Sequence, residues 1–285
     1  MAAGRTEGER RSLDLMDLLK YIGSPIAIGT ALLFYFGWVR SNSQAQQFKV
    51  DISVFEMSTD DLVLRSIDVL FFPLIGLLLI GLLFLRVDPW LRTHAGPASR
   101  VLGFSWMLIL VGVALIVVAE SAGKTLLPLF VLVAVTGMAY AARLRRHARG
   151  DENPAPLAQT LLVGALLVVI LFWATERFAR VGGEALAWRL QHETESRAPV
   201  SVLSDRRLHI VATGVIESAL PGPDSKYTYR YDGLYFLQRS GEKYFLLSDG
   251  WQHNPSTGRL VVLPDDETIR LEFGSQPSIA PTAAP

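Results

Sequence analysis

Unbroken apolar runs dominate the first 175 residues of the chain, and the remainder mixes polar and apolar positions over short distances. A helix crosses about 30 Å of hydrocarbon with roughly 20 residues at 1.5 Å each. Five runs reach this length, at about 21–39, 67–85, 101–119, 125–142 and 157–175. The second is the clearest, because positions 71–85 carry no polar side chain, and a helix in a soluble core would show a polar stripe. The pattern predicts an α-helical membrane bundle of five transmembrane helices within residues 21–176.

The first run has a second interpretation, because a cleaved signal peptide also places an apolar segment behind basic residues. The basic residues here are Arg5, Arg10, Arg11 and Lys20. The run is longer than the apolar core of a typical signal peptide, and it ends in the aromatic sequence 34–38 (FYFGW) rather than in small residues. Both features favour a retained helix that follows a cytoplasmic basic N-terminus at 1–20.

Lysine and arginine in the flanks of the runs predict the orientation, since positive flanks stay in the cytoplasm. With the N-terminus inside, the cytoplasmic flanks hold Arg5, Arg10, Arg11, Lys20, Arg86, Arg92, Arg100, Arg143, Arg145, Arg146 and Arg149, whereas the outer flanks hold only Arg40, Lys49, Arg65 and Lys124. An odd helix count then places everything after residue 176 outside. The predicted location is the plasma membrane, with a cytoplasmic N-terminus and an extracytoplasmic C-terminus.

The outer loop at 40–66 is too polar to span a membrane and too long for a simple turn. Its apolar positions are Phe48, Val50, Ile52, Val54 and Phe55. We expect part of this loop to rest either on the bilayer surface or on the C-terminal domain. The sequence 58–61 (STDD) predicts a helix N-cap that leads into the second span.

The segment 177–274 predicts a small extracytoplasmic α+β domain. Helical spacing of apolar residues continues the fifth helix as a stalk to about Gln191. Short β-type runs follow at 200–203, 208–212, 227–237, 243–248, 259–263 and 268–273. Turn sequences at 239–242 and 263–267 predict hairpins and therefore an antiparallel sheet. The composition of 275–285 predicts a disordered tail.

Composition excludes several functional classes. The chain has 27 basic and 27 acidic residues, so it lacks the large basic field that many nucleic-acid binders need. It has no cysteine, which excludes disulfides, thiolate metal sites and cysteine nucleophiles. The five histidines lack metal-binding spacing, and the sequence 119–125 (AESAGKT) lacks the first glycine of a P-loop. We therefore predict a non-enzymatic protein with no catalytic residue, cofactor, metal or nucleic-acid partner.

Charged residues near the outer helix ends form the first candidate site, a polar cluster at the membrane interface. Asp68 lies just inside the second span, and Arg65 precedes it by three positions on the same helical face. Glu120 and Glu176 mark the outer ends of the third and fifth spans. A carboxylate at such a depth is costly unless it is paired or faces a cavity, so the cluster is compatible with an ion or substrate path. The alternative is a salt bridge between Arg65 and Asp68.

Aromatic residues and an interspersed cation form the second candidate site, a binding face on the sheet. They are Tyr227, Tyr229, Arg230, Tyr231 and Trp251. Such a face could bind a peptide, a glycan or a lipid headgroup. The alternative is that aromatic residues at period two form the core of a small sheet.

Several short sequences together resemble a group of uncharacterised actinobacterial membrane proteins. They are 35–40 (YFGWVR), 63–66 (VLRS), 233–237 (GLYFL), 244–247 (YFLL) and 250–251 (GW). The resemblance spans most of the chain, but none of these sequences is diagnostic of a chemistry. It implies a bacterial plasma membrane and a cell-surface domain, and it implies no activity.

Three functional hypotheses follow from these features. The first is a membrane protein whose extracytoplasmic domain binds a protein partner or an envelope component. The second is a small transporter or channel component that uses Asp68, Arg65 and the outer carboxylates, although an odd helix number without broken helices disfavours it as a monomer. The third is an envelope enzyme without a recognisable motif.

Overall fold

The computed structural model describes residues 25–149, 156–192, 197–220, 222, 225–253 and 257–274. The basic residues Arg5, Arg10, Arg11 and Lys20, the predicted start of the first helix and the predicted tail at 275–285 lie outside the described residues. The chain forms two compact units. The helical unit comprises Met1–Arg40 and Thr59–Val181, and the sheet unit comprises Ser41–Ser58 and Gly182–Pro285.

In the described part of the chain, six α-helices precede the first strand. They are α1 (Pro25–Gln47), α2 (Thr59–Thr93), α3 (Ala95–Gly103), α4 (Met107–Val118), α5 (Glu120–Ala148) and α6 (Leu157–His192). Helix α2 begins where the predicted N-cap sequence places it. Helix α6 continues to His192, which confirms the predicted extension of the fifth helix to about Gln191.

Among the described residues, four helical segments are long and apolar enough to cross a membrane, namely Thr59–Thr93, Ala95–Val118, Glu120–Ala148 and Leu157–His192. The second of these segments joins α3 and α4. Helix α1 carries the described part of the predicted first span and is not among the four. The protein therefore has four to five long apolar helices, followed by the C-terminal antiparallel sheet, in agreement with the predicted order of a helical part and a sheet part.

The predicted third span, at 101–119, consists of two helices. Residues 104–106 separate α3 from α4 in a tight turn, in which the Phe104 N–H donates to the Val101 carbonyl at 3.0 Å. The Ser105 hydroxyl donates to the Ala134 carbonyl of α5 at 2.9 Å. Ala134 is buried, and its small side chain lets the helices approach closely enough for this hydrogen bond.

Six strands form one antiparallel sheet in the described part of the sheet unit. They are β1 (Pro199–Ser204), β2 (Ile216–Ala219), β3 (Tyr229–Ser240), β4 (Lys243–Ser248), β5 (Leu260–Pro264) and β6 (Ile269–Phe273), with a short helix α7 (Gly250–His253) after β4. The order across the sheet is β5-β4-β3-β1-β6. The strand β2 pairs with the first part of β3, and β4 pairs with its second part.

The predicted strand at 208–212 is wrong, because this segment is not a strand and the second strand lies further on, at Ile216–Ala219. Leu208 packs against the core of the sheet instead. Its N–H donates to the Tyr231 hydroxyl at 2.7 Å, so a side chain replaces a neighbouring strand as its partner. An apolar run alone does not distinguish these two arrangements.

One of the two predicted hairpins is present. Residues 239–242 join β3 to β4 directly, and Gly241 has a φ of 57°, a left-handed conformation that suits glycine. The prediction of a hairpin at 263–267 is wrong, because β5 and β6 stand at opposite ends of the strand order.

The connection from β5 to β6 shows that the sheet is curled. Pro264 pairs with Lys243 of β4, which pairs with Ser240 at the end of β3, whereas Ile269 pairs with Ser204 of β1, which pairs with Tyr229 at the start of β3. The two ends of a straight twelve-residue strand would be about 36 Å apart, but the five Cα steps from Pro264 to Ile269 reach about 19 Å at most. Register shifts in the pairing of β3 with β1 and with β4 mark bulges, which bend strands.

The curl encloses the first apolar core of the sheet unit. Its buried members are Val200, Val202, Tyr231, Leu234, Leu246, Leu263 and Ile269. They come from β1, β3, β4, β5 and β6, so this core depends on every strand except the short β2.

The opposite face of the sheet carries a second apolar core, which the first loop covers. Its buried members are Ala45, Phe48, Phe55, Ala187, Phe245, Leu247 and Trp251. Phe55 belongs to a 3₁₀ helix, Ile52–Phe55, whose N-cap Asp51 accepts from the Ser53 N–H at 2.8 Å. Of the two predicted resting places for this loop, the structure places its apolar side chains on the C-terminal domain.

Candidate functional site

Asp68 of the predicted polar cluster forms its ion pair with a different helix. The Arg40 guanidinium of α1 lies 2.9 Å from the Asp68 carboxylate, and the same Nη1 donates to the Arg65 carbonyl at 2.8 Å. Arg65 therefore contributes its backbone to this contact. The alternative in which Asp68 is salt-bridged fits the structure, but the base in that bridge is Arg40 rather than the predicted Arg65.

The other two acids of the predicted cluster are paired within their own helices. Lys124 donates to Glu120 one turn away in α5, and Arg180 lies 2.6 Å from Glu176 one turn away in α6. Each of the three carboxylates thus has a separate basic partner. Local pairs of this kind neutralise charge at helix ends and do not bring the acids to a common point.

The pair of Arg40 and Asp68 lies next to the closest approach of α1 and α2. A Cβ added at Gly37 would be 1.8 Å from the Leu62 carbonyl oxygen, so the two backbones are in direct contact there. Next to Gly37 on α1, Phe36 and Val39 are buried against Val69, which lies two turns after Leu62 on α2. The ion pair therefore closes one side of a helix crossing.

Asp68→Asn should lower the free energy of unfolding by about 0–1 kcal/mol, because the Asp68 side chain is 74% exposed and exposed ion pairs contribute little. Arg40→Asp should cost more, since it places two acids side by side. The double change Arg40→Asp with Asp68→Arg should recover most of that loss. Thermal unfolding of the purified protein in detergent measures all three.

Asp60→Asn is the matched control for this series, because Asp60 is an exposed acid in the first turn of the same helix. It should leave the unfolding midpoint unchanged. Loss of a cellular phenotype in Asp68→Asn at unchanged protein abundance would contradict the structural role of the pair and favour the transport hypothesis.

The predicted aromatic face is divided between the two cores. Tyr231 is fully buried inside the curl, where burial raises the pKa of its hydroxyl above the usual value. Trp251 is 4% exposed and belongs to the core on the opposite face, with its ring edge-on to Phe48 at 5.9 Å. These two residues therefore fit the alternative interpretation, in which the aromatic residues form the core of the sheet.

The remaining members of that face lie near the start of β3. Tyr229 is half-buried against the first apolar core. The Lys226 ammonium nitrogen lies over the Tyr227 ring, 5.8 Å from the ring centre. The Arg230 guanidinium is 2.9 Å from the Asp232 carboxylate. The five predicted residues therefore do not share one surface.

A groove along the edge strand β5 is a site that the sequence did not reveal. It is lined by Glu56, Gly241, Glu242, Lys243, Val262, Leu263 and Pro264. β4 pairs with one side of β5, and within the described residues no strand pairs with its other side. The signal that could have identified it is the proline at the end of a β-type run, because proline inside a sheet favours an edge strand.

Two sets of polar contacts lie near the Pro264 end of β5, beside this groove. The Lys243 ammonium lies 2.6 Å from the Glu56 carboxylate of the first loop. The side chains of Arg239 and Tyr244 both donate hydrogen bonds to the Asp265 carboxylate. The Tyr244 hydrogen bond, with the nearby Arg239 charge, keeps the pKa of Asp265 below its ordinary 3.8. A depressed carboxyl pKa stabilises the folded state above that ordinary value, and the contribution is lost as the pH falls through the folded pKa.

Within the part of the chain that the structure describes, no three potential metal ligands come together. The fold defines a protein with four helical segments that could span a membrane and a C-terminal antiparallel sheet domain. No protein-family model, curated protein or solved structure matches the chain.

Proposed function

We propose that this chain is a non-enzymatic, integral plasma-membrane protein that displays its sheet unit outside the cell and binds a protein partner there through the free edge of β5. The observation that carries the proposal is the groove along that unpaired edge. Both faces of the sheet are covered by apolar cores, so the edges are the parts of the sheet available to a partner.

The exposed apolar surface of α2 supports the membrane placement. Leu78, Leu82 and Leu85 are each more than 60% exposed within a helix that is long enough to span a bilayer. A water-facing helix would not present such a surface, whereas hydrocarbon solvates it at no cost. The excess of arginine in the inner flanks supports the proposed orientation.

The geometry of β5 supports binding of an extended peptide. An exposed edge strand offers backbone groups to which another strand can add, and the side-chain pockets beside it select the sequence. Val262 is 39% exposed in the middle of β5 and supplies an apolar contact. Pro264 has no N–H, so it limits the added strand at one end.

The local pairing of the acids supports the binding hypothesis over transport. Asp68, Glu120 and Glu176 each have a basic partner within hydrogen-bond distance. A transport path needs a carboxylate that can exchange its partner for an ion or a substrate. The transport hypothesis predicts the phenotype of Asp68→Asn described above.

Two measurements on the full-length protein test the proposal. A reporter fused after residue 150 should behave as cytoplasmic, and one fused after Phe273 should behave as exported. A photoreactive residue at Glu242, which lines the groove, should give a cross-linked product of one defined mass in intact cells. Val262→Asp should abolish this product, because a charge at the centre of the edge opposes an apolar contact.

Val211→Asp is the control, since Val211 is the more exposed valine of the same unit and lies outside the groove. It should leave the product unchanged. Reporters on the same side would refute the topology. A product that is equally strong in both valine variants would refute binding at the β5 edge.

A further inference from the structure

The end of the helical unit opposite to the Arg40 and Asp68 pair, along α2, carries a concentration of arginine. It is formed by the last turns of α2 and α5 together with α3. The Phe84 ring of α2 is edge-on to the Tyr140 ring of α5 at 5.1 Å, and Tyr140 donates to Asp88. These contacts bring the arginines of different helices to one place.

Two of these arginines are already engaged by the protein. Arg92 lies 2.7 Å from Asp88, which also accepts from Tyr140. Arg145 donates to the Ser99 carbonyl of α3 at 3.4 Å. Its guanidinium lies over Gly103, where an added Cβ would come within 2.4 Å of it. Arg92 and Arg145 therefore belong to the packing of α2, α3 and α5.

Three other arginines at the end of α5 are not engaged in this way. Arg143 and Arg149 are exposed, and Arg146 is half-exposed. Within the described residues, Arg143 interacts with Asp88 at longer range through its charge, and the guanidinium groups of the three arginines form no hydrogen bond or close ion pair. Asp88 is the acid that the described residues place at this end, and it already holds Arg92.

The position of these three arginines determines which anion they can meet. Arg143 and Arg146 lie in the last turns of Glu120–Ala148, a segment long and apolar enough to cross a membrane, and Arg149 is the C-cap of this helix. The end of such a helix lies at the level of the lipid headgroups. Guanidinium groups bind phosphate oxygens in a bidentate manner, and basic residues at this level are attracted to anionic lipids.

We propose that Arg143, Arg146 and Arg149 form a binding site for the phosphate-bearing headgroup of an anionic phospholipid. The lipid tails then lie along the apolar surface of the neighbouring helices. Arg92 and Arg145 position α2 and α3 beside the site and do not hold the lipid. The site does not depend on the proposed partner at β5.

The test uses the full-length protein purified in detergent and native mass spectrometry. Phosphatidylglycerol is added as the probe, with phosphatidylcholine of the same tails as the neutral reference. The native protein should retain phosphatidylglycerol in preference to phosphatidylcholine, and the preference should weaken as salt is raised. The triple change Arg143→Gln, Arg146→Gln and Arg149→Gln should lower the apparent affinity for phosphatidylglycerol about tenfold or more.

The control removes three positive charges elsewhere, with Arg206→Gln, Lys226→Gln and Arg270→Gln in the sheet unit, where each side chain is more than half exposed. This variant should bind phosphatidylglycerol like the native protein. A second variant, with Lys at the three arginine positions, keeps the charge and should retain most of the binding. It also tests the site if the glutamine variant does not fold.

Three results would overturn the proposal. One is equal retention of phosphatidylglycerol and phosphatidylcholine by the native protein. Another is an undiminished affinity for phosphatidylglycerol in the folded glutamine variant. If the glutamine variant does not fold, a lysine variant that shows no preference for phosphatidylglycerol is the equivalent result. The third is displacement of phosphatidylglycerol by inorganic phosphate at a comparable concentration, which would assign the site to a soluble anion.

Discussion

Phe55→Ala should destabilise the sheet unit by about 3–5 kcal/mol, the range for removing a large buried aromatic side chain. Phe55 is 1% exposed, and its ring lies 4.9 Å from the ring of Phe245 in β4. The change removes contacts from the second apolar core and leaves a cavity between the first loop and the sheet. Hydrogen exchange of the β4 amides in the full-length protein measures the loss, because these amides exchange only when the strand opens.

Val54→Ala is the matched control, because Val54 is the neighbouring residue of the same 3₁₀ helix and is 38% exposed. It should change the exchange of β4 by less than about 1 kcal/mol. Equal protection of β4 in the native protein and in Phe55→Ala would show that the loop does not stabilise the sheet.

The same contact predicts how the isolated domain behaves. A chain of residues 184–274 alone carries the alternating apolar pattern of a soluble sheet. It lacks Phe48 and Phe55, however, and therefore exposes Phe245 and Trp251. We expect it to aggregate, and we expect a chain in which residues 41–58 are joined to this segment by a flexible linker to fold cooperatively.

Gly37→Ala should have the second large effect, on the helical unit. The new methyl group would lie 1.8 Å from the Leu62 carbonyl oxygen, and a backbone oxygen cannot move aside as the end of a flexible side chain does. The crossing of α1 and α2 must therefore open, which separates Phe36 and Val39 from Val69 and moves Arg40 from Asp68. We expect a loss of about 1–3 kcal/mol, typical of overpacking at a buried contact, and a lower unfolding temperature in detergent measures it.

Gly29→Ala on the same helix is the control, because an added Cβ there has no atom within 4 Å. It should leave stability unchanged or raise it by up to about 1 kcal/mol, since alanine is the better helix former. Similar unfolding temperatures for the two variants would mean that α1 and α2 do not touch at Gly37.

Local features of the fold could be predicted because they depend on residues close together in the chain. The helix at Thr59–Thr93 follows from a long apolar run and an N-terminal capping sequence, and the turn at 239–242 follows from its own glycine. The extension of α6 to His192 also follows from apolar spacing along one helix. Each of these depends on an intrinsic preference that short segments express by themselves.

The candidate site was only partly predictable, because its contacts join distant positions. The sequence located Asp68 as a costly carboxylate that needs a partner. Arg40, its partner, precedes it by 28 positions and reaches it only because Gly37 allows α1 to cross α2 so closely. Helical spacing predicts neighbours within one helix, so it favoured Arg65.

The sequence by itself determined the helical part, the sheet part and the order of both along the chain, since apolar run length and period specify helix and strand. Only the tertiary structure decided what covers each face of the sheet. Period-two alternation shows which residues share a face but not what packs above it. The curl buries Tyr231 inside, and the segment Ser41–Ser58 packs on Trp251 on the other side, so both aromatic residues are in cores rather than on a binding face. The same tertiary arrangement leaves β5 at an edge, because no strand among the described residues pairs with its outer side.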